Sequence, residues 1–192
     1  IVAVLLLVPG CLTVDWYVRQ QSADALTAQL ATDYLIWFVP AMALQFTIVA
    51  MAGALRGIGT FKPGMVVQTA TVIINIVLAP VLIFGWGTGV ALGVAGAAVA
   101  TLVAVLVGVL WLTLYFLPAD AYLRFVWRDM RPQLALWAAM LKIGLPAGAE
   151  FAFMALYLFI VYRLAAPFGA AAQAGFGIGM RVVQSLFIPI VA

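Results

Sequence analysis

Charge is what this sequence most lacks. Charged residues make up 8% of the 192 positions, whereas a soluble domain carries about a quarter. A soluble domain needs charged surface and a disordered chain has low hydrophobicity, so a hydrophobic content of 68% excludes both classes. The single cysteine, Cys11, excludes an intrachain disulfide scaffold.

Histidine is absent altogether, which removes the commonest general base and metal ligand. The sequence also has no Cys/His cluster, no nucleophile triad and no glycine-rich phosphate loop, so we expect neither enzyme activity nor a cofactor. The formal net charge of +3 is small, and the basic residues form no stripe of the kind that binds nucleic acid. We therefore expect no nucleic-acid partner.

Two long stretches contain no charged residue, 34–55 and 63–119. A membrane-spanning helix needs about 20 predominantly apolar residues. The first stretch fits one span, and the second fits two spans joined by the glycine-rich turn at 85–89. Since backbone polar groups cannot stay unpaired in lipid, these spans are predicted to be helices.

The whole chain divides into six hydrophobic segments: 1–14, 33–55, 63–84, 90–116, 142–161 and 170–192. This pattern predicts an all-α, polytopic membrane helix bundle with six transmembrane helices. We therefore expect the protein to have the lipid bilayer as a partner. Both ends of the sequence lie inside apolar runs, so we expect an internal piece of a longer membrane protein.

Lysine and arginine predict the orientation, because the cytoplasmic loops of membrane proteins are enriched in them. Most of the basic residues lie in or beside two connections, 56–63 and 117–141. If every segment crosses once, the two connections lie on the same side. We predict that both are cytoplasmic and that the protein is in the inner (plasma) membrane.

Polar side chains inside the third segment follow helical spacing. Gln68, Thr71 and Asn75 fall on one face of a helix at 100° per residue. Such a stripe serves either hydrogen bonding between helices or the lining of a polar cavity, and the sequence leaves both open.

Glu150 is a carboxylate well inside a predicted span, on one helix face with Met154 and Tyr157. An intramembrane acid is a functional-site hypothesis by default, able to exchange a proton, hold Na⁺ or bind a cationic substrate. The structural alternative is an ion pair with a buried basic residue. In the sixth segment Gln173 and Arg181 share a face, and Arg181 either pairs with a carboxylate or reaches the membrane interface.

Five short runs occur in order along the chain: ALRGIG at 54–59 followed by Lys62-Pro63, NIVLAPVLIFG at 75–85, GVAGAAVAT at 93–101, IGLP at 143–146 followed by Glu150, and AGFGIGMR at 174–181. Together they resemble the signature runs of the multidrug and toxic compound extrusion (MATE) family. The resemblance implies twelve helices in two six-helix lobes, of which this chain would be helices three to eight. It assigns 1–116 to the first lobe, 117–141 to an inter-lobe linker and 142–192 to the second lobe.

The resemblance also implies an activity, secondary antiport, in which entry of H⁺ or Na⁺ drives export of organic cations and other drugs by alternating access. It implies that Asn75 and Thr101 belong to a first-lobe cation or proton site and that Glu150 is a coupling acid. The candidates for the substrate cleft are Gln68, Thr71, Met154, Tyr157, Gln173 and Arg181. We expect no cofactor, with H⁺ or Na⁺ serving as the coupling ion. The expected partners are small-molecule drugs, and the complete transporter is expected to be monomeric.

Three other functions stay open. A lipid-linked oligosaccharide flippase of the same superfamily would share the fold but would need an arginine-rich cleft, for which only Arg181 is a candidate. A non-transporting membrane scaffold would use the helices for assembly alone, and the deep carboxylate of Glu150 argues against it. A membrane enzyme finds no catalytic set in this sequence.

Overall fold

The structure, a computed structural model, describes residues 2–22, 24–86, 89, 91–117 and 134–191. Within these ranges the secondary structure is helical: α1 (Val2–Gln21), α2 (Ala25–Gly57), α3 (Lys62–Phe84), α4 (Gly93–Phe116), α5 (Leu134–Ala165) and α6 (Ala170–Val191), with a short 3₁₀ turn at Ala166–Phe168. The prediction of an all-α architecture with six helical segments is confirmed.

Four of the described helical stretches are long and apolar enough to cross a membrane: Ala25–Gly57, Lys62–Phe84, Gly93–Phe116 and Gly148–Phe168. That α1 and α6 also cross the membrane, as the six predicted transmembrane helices require, stays a prediction. Asp15 and Arg19 lie in α1, and Arg181 lies in α6. The chain is a multi-pass membrane protein.

Three helices are longer than their predicted segments. The first helix continues from Val14 to Gln21, and the second begins at Ala25, well before Asp33. The fifth begins at Leu134, inside the predicted linker 117–141, so the last part of that linker is helix. Leucine and alanine favour helix whether or not it lies in lipid, whereas the prediction placed the ends at the nearest charge. The rest of the linker, 118–133, lies outside the described residues.

Asp24 precedes α2 and caps it. Its carboxylate Oδ1 accepts a hydrogen bond from the backbone N–H of Thr27 at 2.6 Å, the usual arrangement for an acidic residue before a helix. Bonding by the Thr27 backbone N–H, and then by the Thr27 side chain, lowers the pKa of Asp24 below its ordinary value of 3.8. Helix α2 therefore starts at a charged cap just outside its apolar stretch.

The described residues form two compact units. One contains those within 2–16 and 29–117, and the other those within 17–28 and 134–191. The sequence-based division assigned all of 1–116 to one lobe, whereas here the end of α1 and the start of α2 belong to the second unit. The lobe boundaries themselves stay a prediction.

The first unit has a small apolar core between α2, α3 and α4. Its buried members are Ile48, Leu55, Val67, Val105 and Leu112. Small residues bring the helices close together around this core. A Cβ added at Gly96 would lie 2.7 Å from the Leu82 carbonyl oxygen, and one added at Gly108 would lie 2.5 Å from Thr71 Cγ2. Close approach through small residues is typical of helix packing in membranes.

The connection between α3 and α4 begins with a glycine because the backbone there has a positive φ angle. Gly85 ends α3 in the left-handed conformation, with a φ of 72°. Only glycine adopts this conformation without steric cost. The backbone N–H of Leu92 then donates to the Leu82 carbonyl at 3.0 Å, so the chain turns back onto α3. This reversal sets α4 beside the polar stripe of α3.

Candidate functional site

An open cavity with both polar and apolar lining lies in the first unit, between α2, α3 and α4. Its volume is 350 Å³. Five uncharged polar side chains line it: Gln45, Gln68, Thr71, Asn75 and Thr101. The rest of its wall is apolar and includes Met42, Val72, Ile76 and Val105. The stripe predicted on α3 lies against a cavity, and Asn75 within it also bonds to α4, so the structure shows both of the roles left open by the sequence.

Asn75 and Thr101 join α3 to α4 within this cavity. The Asn75 Nδ2 donates to the Thr101 Oγ1 at 2.9 Å, and the Thr101 hydroxyl donates to the Ala97 carbonyl at 3.0 Å. The threonine hydroxyl thus both accepts and donates, while no donor in the described residues reaches the Asn75 Oδ1. The amide is held in one orientation and keeps an acceptor for a ligand.

Thr71 and Gln68 have different environments although they share the stripe. Thr71 is only 8% exposed, and its hydroxyl donates to the Gln68 carbonyl one turn earlier at 2.7 Å. The Gln68 side chain is exposed and borders both this cavity and a second one near the end of α2. Thr71 is therefore held by its own helix, whereas Gln68 is available to a ligand.

Gln45 on α2 is a site residue that the sequence analysis missed. It lines the cavity opposite the α3 stripe. It was missed because the search was for several polar residues at helical spacing, and Gln45 is the one amide in its charge-free stretch. A lone glutamine inside a span was nevertheless a usable signal, because an unpaired amide is costly in lipid.

The second unit holds the predicted acid. Glu150 lies about 23 Å from either end of α5 at a rise of 1.5 Å per residue, so it is near the middle of the helix. It is exposed, as are Met154 and Tyr157, the next residues on that face. Within the described residues Glu150 has no hydrogen bond or ion pair, and neither does the Arg181 guanidinium. Pairing of Arg181 with a carboxylate is thus not seen in this part of the chain.

Gln173 lies in a network that joins helix ends in the second unit. It is 7% exposed, and its Nε2 donates to the backbone carbonyls of Gln21 at 2.8 Å and Tyr162 at 2.9 Å. The Gln21 Nε2 donates to the Phe159 carbonyl at 3.3 Å. Both hydrogens of the Gln173 amide are thus bonded within the protein and are not free for a substrate. Substrate contact by Gln173 stays a prediction.

Gln20 and Arg163 extend this network, with the Arg163 guanidinium donating to the Gln20 Oε1. The Tyr17 and Phe159 rings pack beside it, 6.2 Å between centroids. The Gln21 Oε1 is buried without a hydrogen-bond donor among the described residues. Sequence analysis missed Gln20 and Gln21 because they lie in a charged stretch that suggested solvent exposure.

The two units thus offer different chemical groups, uncharged in the first and acidic in the second. The cavity of the first unit offers amide and hydroxyl groups with no carboxylate among its lining residues. The second unit offers one carboxylate on a membrane-spanning helix. Within the described residues no group of three or more Cys, Asp or Glu could hold a metal ion.

Known proteins share both the sequence and the fold. The family model described as MatE matches residues 1–81. Multidrug export protein MepA of Staphylococcus haemolyticus is 33% identical over 84% of this chain and 35% of its own length. The chain belongs to the MATE family. The resemblance predicted from the five sequence runs is confirmed.

Two further proteins are similar to this chain. The FAD transporter of Shewanella oneidensis is 30% identical over 88% of this chain and 38% of its own length. A multidrug resistance MATE family transporter, solved in an inward-facing conformation, has a TM-score of 0.79 at 24% identity and covers 98% of this chain and 42% of its own. This MATE chain spans little more than a third of the two curated relatives' lengths. Each of these proteins is named for transport or export, not catalysis.

Proposed function

We propose that the protein exports organic cations and other drugs by secondary antiport, driven by entry of H⁺ or Na⁺ through alternating access. The observation that carries this function is the uncharged cavity beside Asn75, lined by five polar side chains and set among helices long and apolar enough to cross a membrane. Polar side chains within transmembrane segments are costly in lipid, and they mark substrate and ion pathways. The name of the staphylococcal relatives supports drugs as the cargo.

The cavity suits an amphipathic cation. Its apolar wall, including Met42 and Val105, packs against an organic body, while amide and hydroxyl oxygens accept from a polar or charged nitrogen. The Asn75 Oδ1 is one of these acceptors, and the bond to Thr101 already orients its amide. With no opposing charge to desolvate, the cavity binds moderately and releases its cargo, as a transporter must.

Coupling to H⁺ requires a group outside this cavity, since no residue lining it titrates near neutral pH, whereas the oxygens of Asn75 and Thr101 stay predicted ligands for Na⁺. We assign that role to Glu150 in the second unit, which lies in the middle of α5 and has no ion pair in the described part of the chain. Binding of H⁺ or Na⁺ neutralises the carboxylate and favours the conformation that releases the cation outward. Return of the carboxylate to its ionised form favours the inward conformation, so the two ligands are linked through one pair of states.

We further propose that the protein lies in the plasma membrane as a monomer, with 56–63 and 117–141 on the cytoplasmic side. The basic residues Arg56 and Lys62 support this orientation.

The test uses the full-length protein in proteoliposomes loaded with a fluorescent organic cation. We expect efflux under an imposed H⁺ or Na⁺ gradient in the wild type, and loss of gradient dependence in Glu150→Gln. Asp24→Asn is the matched control, because it removes the same charge from an exposed helix cap. Gradient-driven efflux that survives Glu150→Gln would refute the coupling role, and no efflux with either ion in well-folded protein would refute drug antiport.

An anionic dinucleotide is the second candidate cargo. The Shewanella relative is named as an FAD transporter, at an identity close to that of the staphylococcal proteins. Amides such as Gln45, Gln68 and Asn75 can hydrogen-bond the edges of a flavin or adenine ring as readily as they bind a cation. Transport of FAD but not of the organic cation in the same vesicles would select this cargo.

A further inference from the structure

A second cavity lies where α2 ends and α3 begins, in the first unit. Its volume is 490 Å³. On α2 its lining residues Val49, Ala52 and Arg56 are spaced three and four apart, so they form one helix face. Phe61 and Met65 line it from the side of α3. The cavity is a groove along two antiparallel helices, separate from the one beside Asn75 except for the shared Gln68.

The floor of this groove is fixed by close helix packing. A Cβ added at Gly64 would lie 3.0 Å from the Ala52 Cβ, so the two helices touch at this point. Larger side chains stand on either side of the contact. Val49, Phe61 and Met65 are each more than half exposed, which leaves an apolar trough with a narrow base.

The groove changes from apolar to basic along its length. Val49 and Arg56 are about 10 Å apart along α2 at 1.5 Å per residue. The guanidinium therefore lies at the helix end, where the chain leaves the apolar stretch, and the apolar wall extends inward from it. Lys62, which is also exposed, begins α3 after a short turn.

The rim of the groove carries positive charge alone. No acidic residue occurs in the sequence between Asp33 and Asp120, and Arg56 has no ion pair within the described residues. Arginine binds phosphate through two parallel N–H···O bonds, and basic residues at the end of a membrane helix attract anionic lipid headgroups.

We propose that this groove binds one anionic phospholipid, with its headgroup phosphate on Arg56 and an acyl chain along Val49, Phe61 and Met65. A phosphate alone would use only the basic end, whereas the apolar trough matches a ligand with a hydrocarbon chain. Lys62 adds a second positive charge beside the headgroup. This lipid site is distinct from the cavity proposed for the cargo, and the two share Gln68 alone among their lining residues.

The experiment uses the full-length protein, purified in mild detergent and titrated with phosphatidylglycerol or with phosphatidylcholine. Native mass spectrometry counts retained lipids, and thermal unfolding reports their stabilising effect. We expect one phosphatidylglycerol retained preferentially by the wild type, and at least tenfold weaker retention in Arg56→Gln. Arg19→Gln is the matched control, since it removes an exposed arginine from the end of α1 and should retain the lipid.

Three results would overturn the site. One is equal retention of phosphatidylglycerol by wild type and Arg56→Gln, and another is equal retention of the two lipids by the wild type. The third is equal protection by inorganic phosphate, which would indicate a soluble anion site. A filling variant, Thr69→Trp, provides a second measurement if Arg56→Gln fails to fold. It keeps the charge but occupies the groove, so it should also lose the lipid.

Discussion

The two units use the same kind of side chain for opposite purposes. In the first unit, the Asn75 amide is held by one hydrogen bond to Thr101 and lines an open cavity with its acceptor free. In the second, the Gln173 amide is buried, and both hydrogens of its nitrogen are bonded to carbonyls at helix ends. Burial and bonding, not residue type, therefore separate a candidate ligand group from one that holds helices together.

Replacing Asn75 should have the largest effect on activity. Asn75→Leu removes the free acceptor and the bond to Thr101 but fills a similar volume, so we expect at least about tenfold weaker transport with little change in stability. Initial efflux rates and unfolding temperatures of the full-length protein measure the two effects. A variant that unfolds but transports normally when folded would show that Asn75 is structural.

Replacing Gln173 should have the opposite outcome. Gln173→Leu leaves the carbonyls of Gln21 and Tyr162 without their donor, and each unsatisfied buried group costs about 1–3 kcal/mol. We expect a clear fall in unfolding temperature, with transport per folded molecule retained. Loss of transport at unchanged stability would instead support the sequence-based assignment of Gln173 to the substrate cleft.

Two threonines of α4 allow a matched comparison. Thr101 and Thr113 each donate to the carbonyl four residues earlier, but only Thr101 also accepts from Asn75. One hydrogen bond is worth about 0.5–1.5 kcal/mol, so Thr101→Val should weaken transport by roughly two- to tenfold. Thr113→Val should leave transport unchanged. Equal effects of the two variants would argue against a special role for the Asn75–Thr101 pair.

The smallest effect is expected at Asp24, which belongs to neither the cavity nor the helix-end network. Bonding by Thr27 lowers the pKa of Asp24 in the folded state below 3.8, so its stabilising effect is present above that pH and disappears as the pH falls through the lowered value. Asp24→Asn should slightly lower the unfolding temperature at neutral pH and should match the wild type in acid. If the difference in unfolding temperature between the wild type and Asp24→Asn grew as the pH fell, the predicted direction of the pH dependence would be wrong.

Sequence periodicity was sufficient for features within one helix. The spacing of Gln68, Thr71 and Asn75 predicted their common face, and the structure has all three lining one cavity. The charge-free stretches likewise predicted α3 closely, because both of its ends coincide with abrupt changes in composition. The start of α5 could not be predicted in this way, since a helix ends where its hydrogen bonds end and not at the nearest charge.

Contacts between residues that are far apart in the sequence could not be predicted from it. Gln173 and Gln21 are 152 positions apart, and nothing local to either residue indicates that their helix ends meet. Gln45 and Asn75 likewise share a cavity only because α2 packs beside α3. Glu150 was singled out because an acid inside an apolar helix is conspicuous by itself, and its role as a site residue stays a prediction.

The most direct measurement is the affinity of the purified full-length protein for a fluorescent organic cation, followed by fluorescence anisotropy. We predict that Asn75→Leu weakens binding at least about tenfold, while Thr113→Val binds as the wild type does. Both variants should unfold at temperatures close to that of the wild type. Equal affinity of Asn75→Leu and the wild type would contradict the claim that the cavity of the first unit binds the cargo.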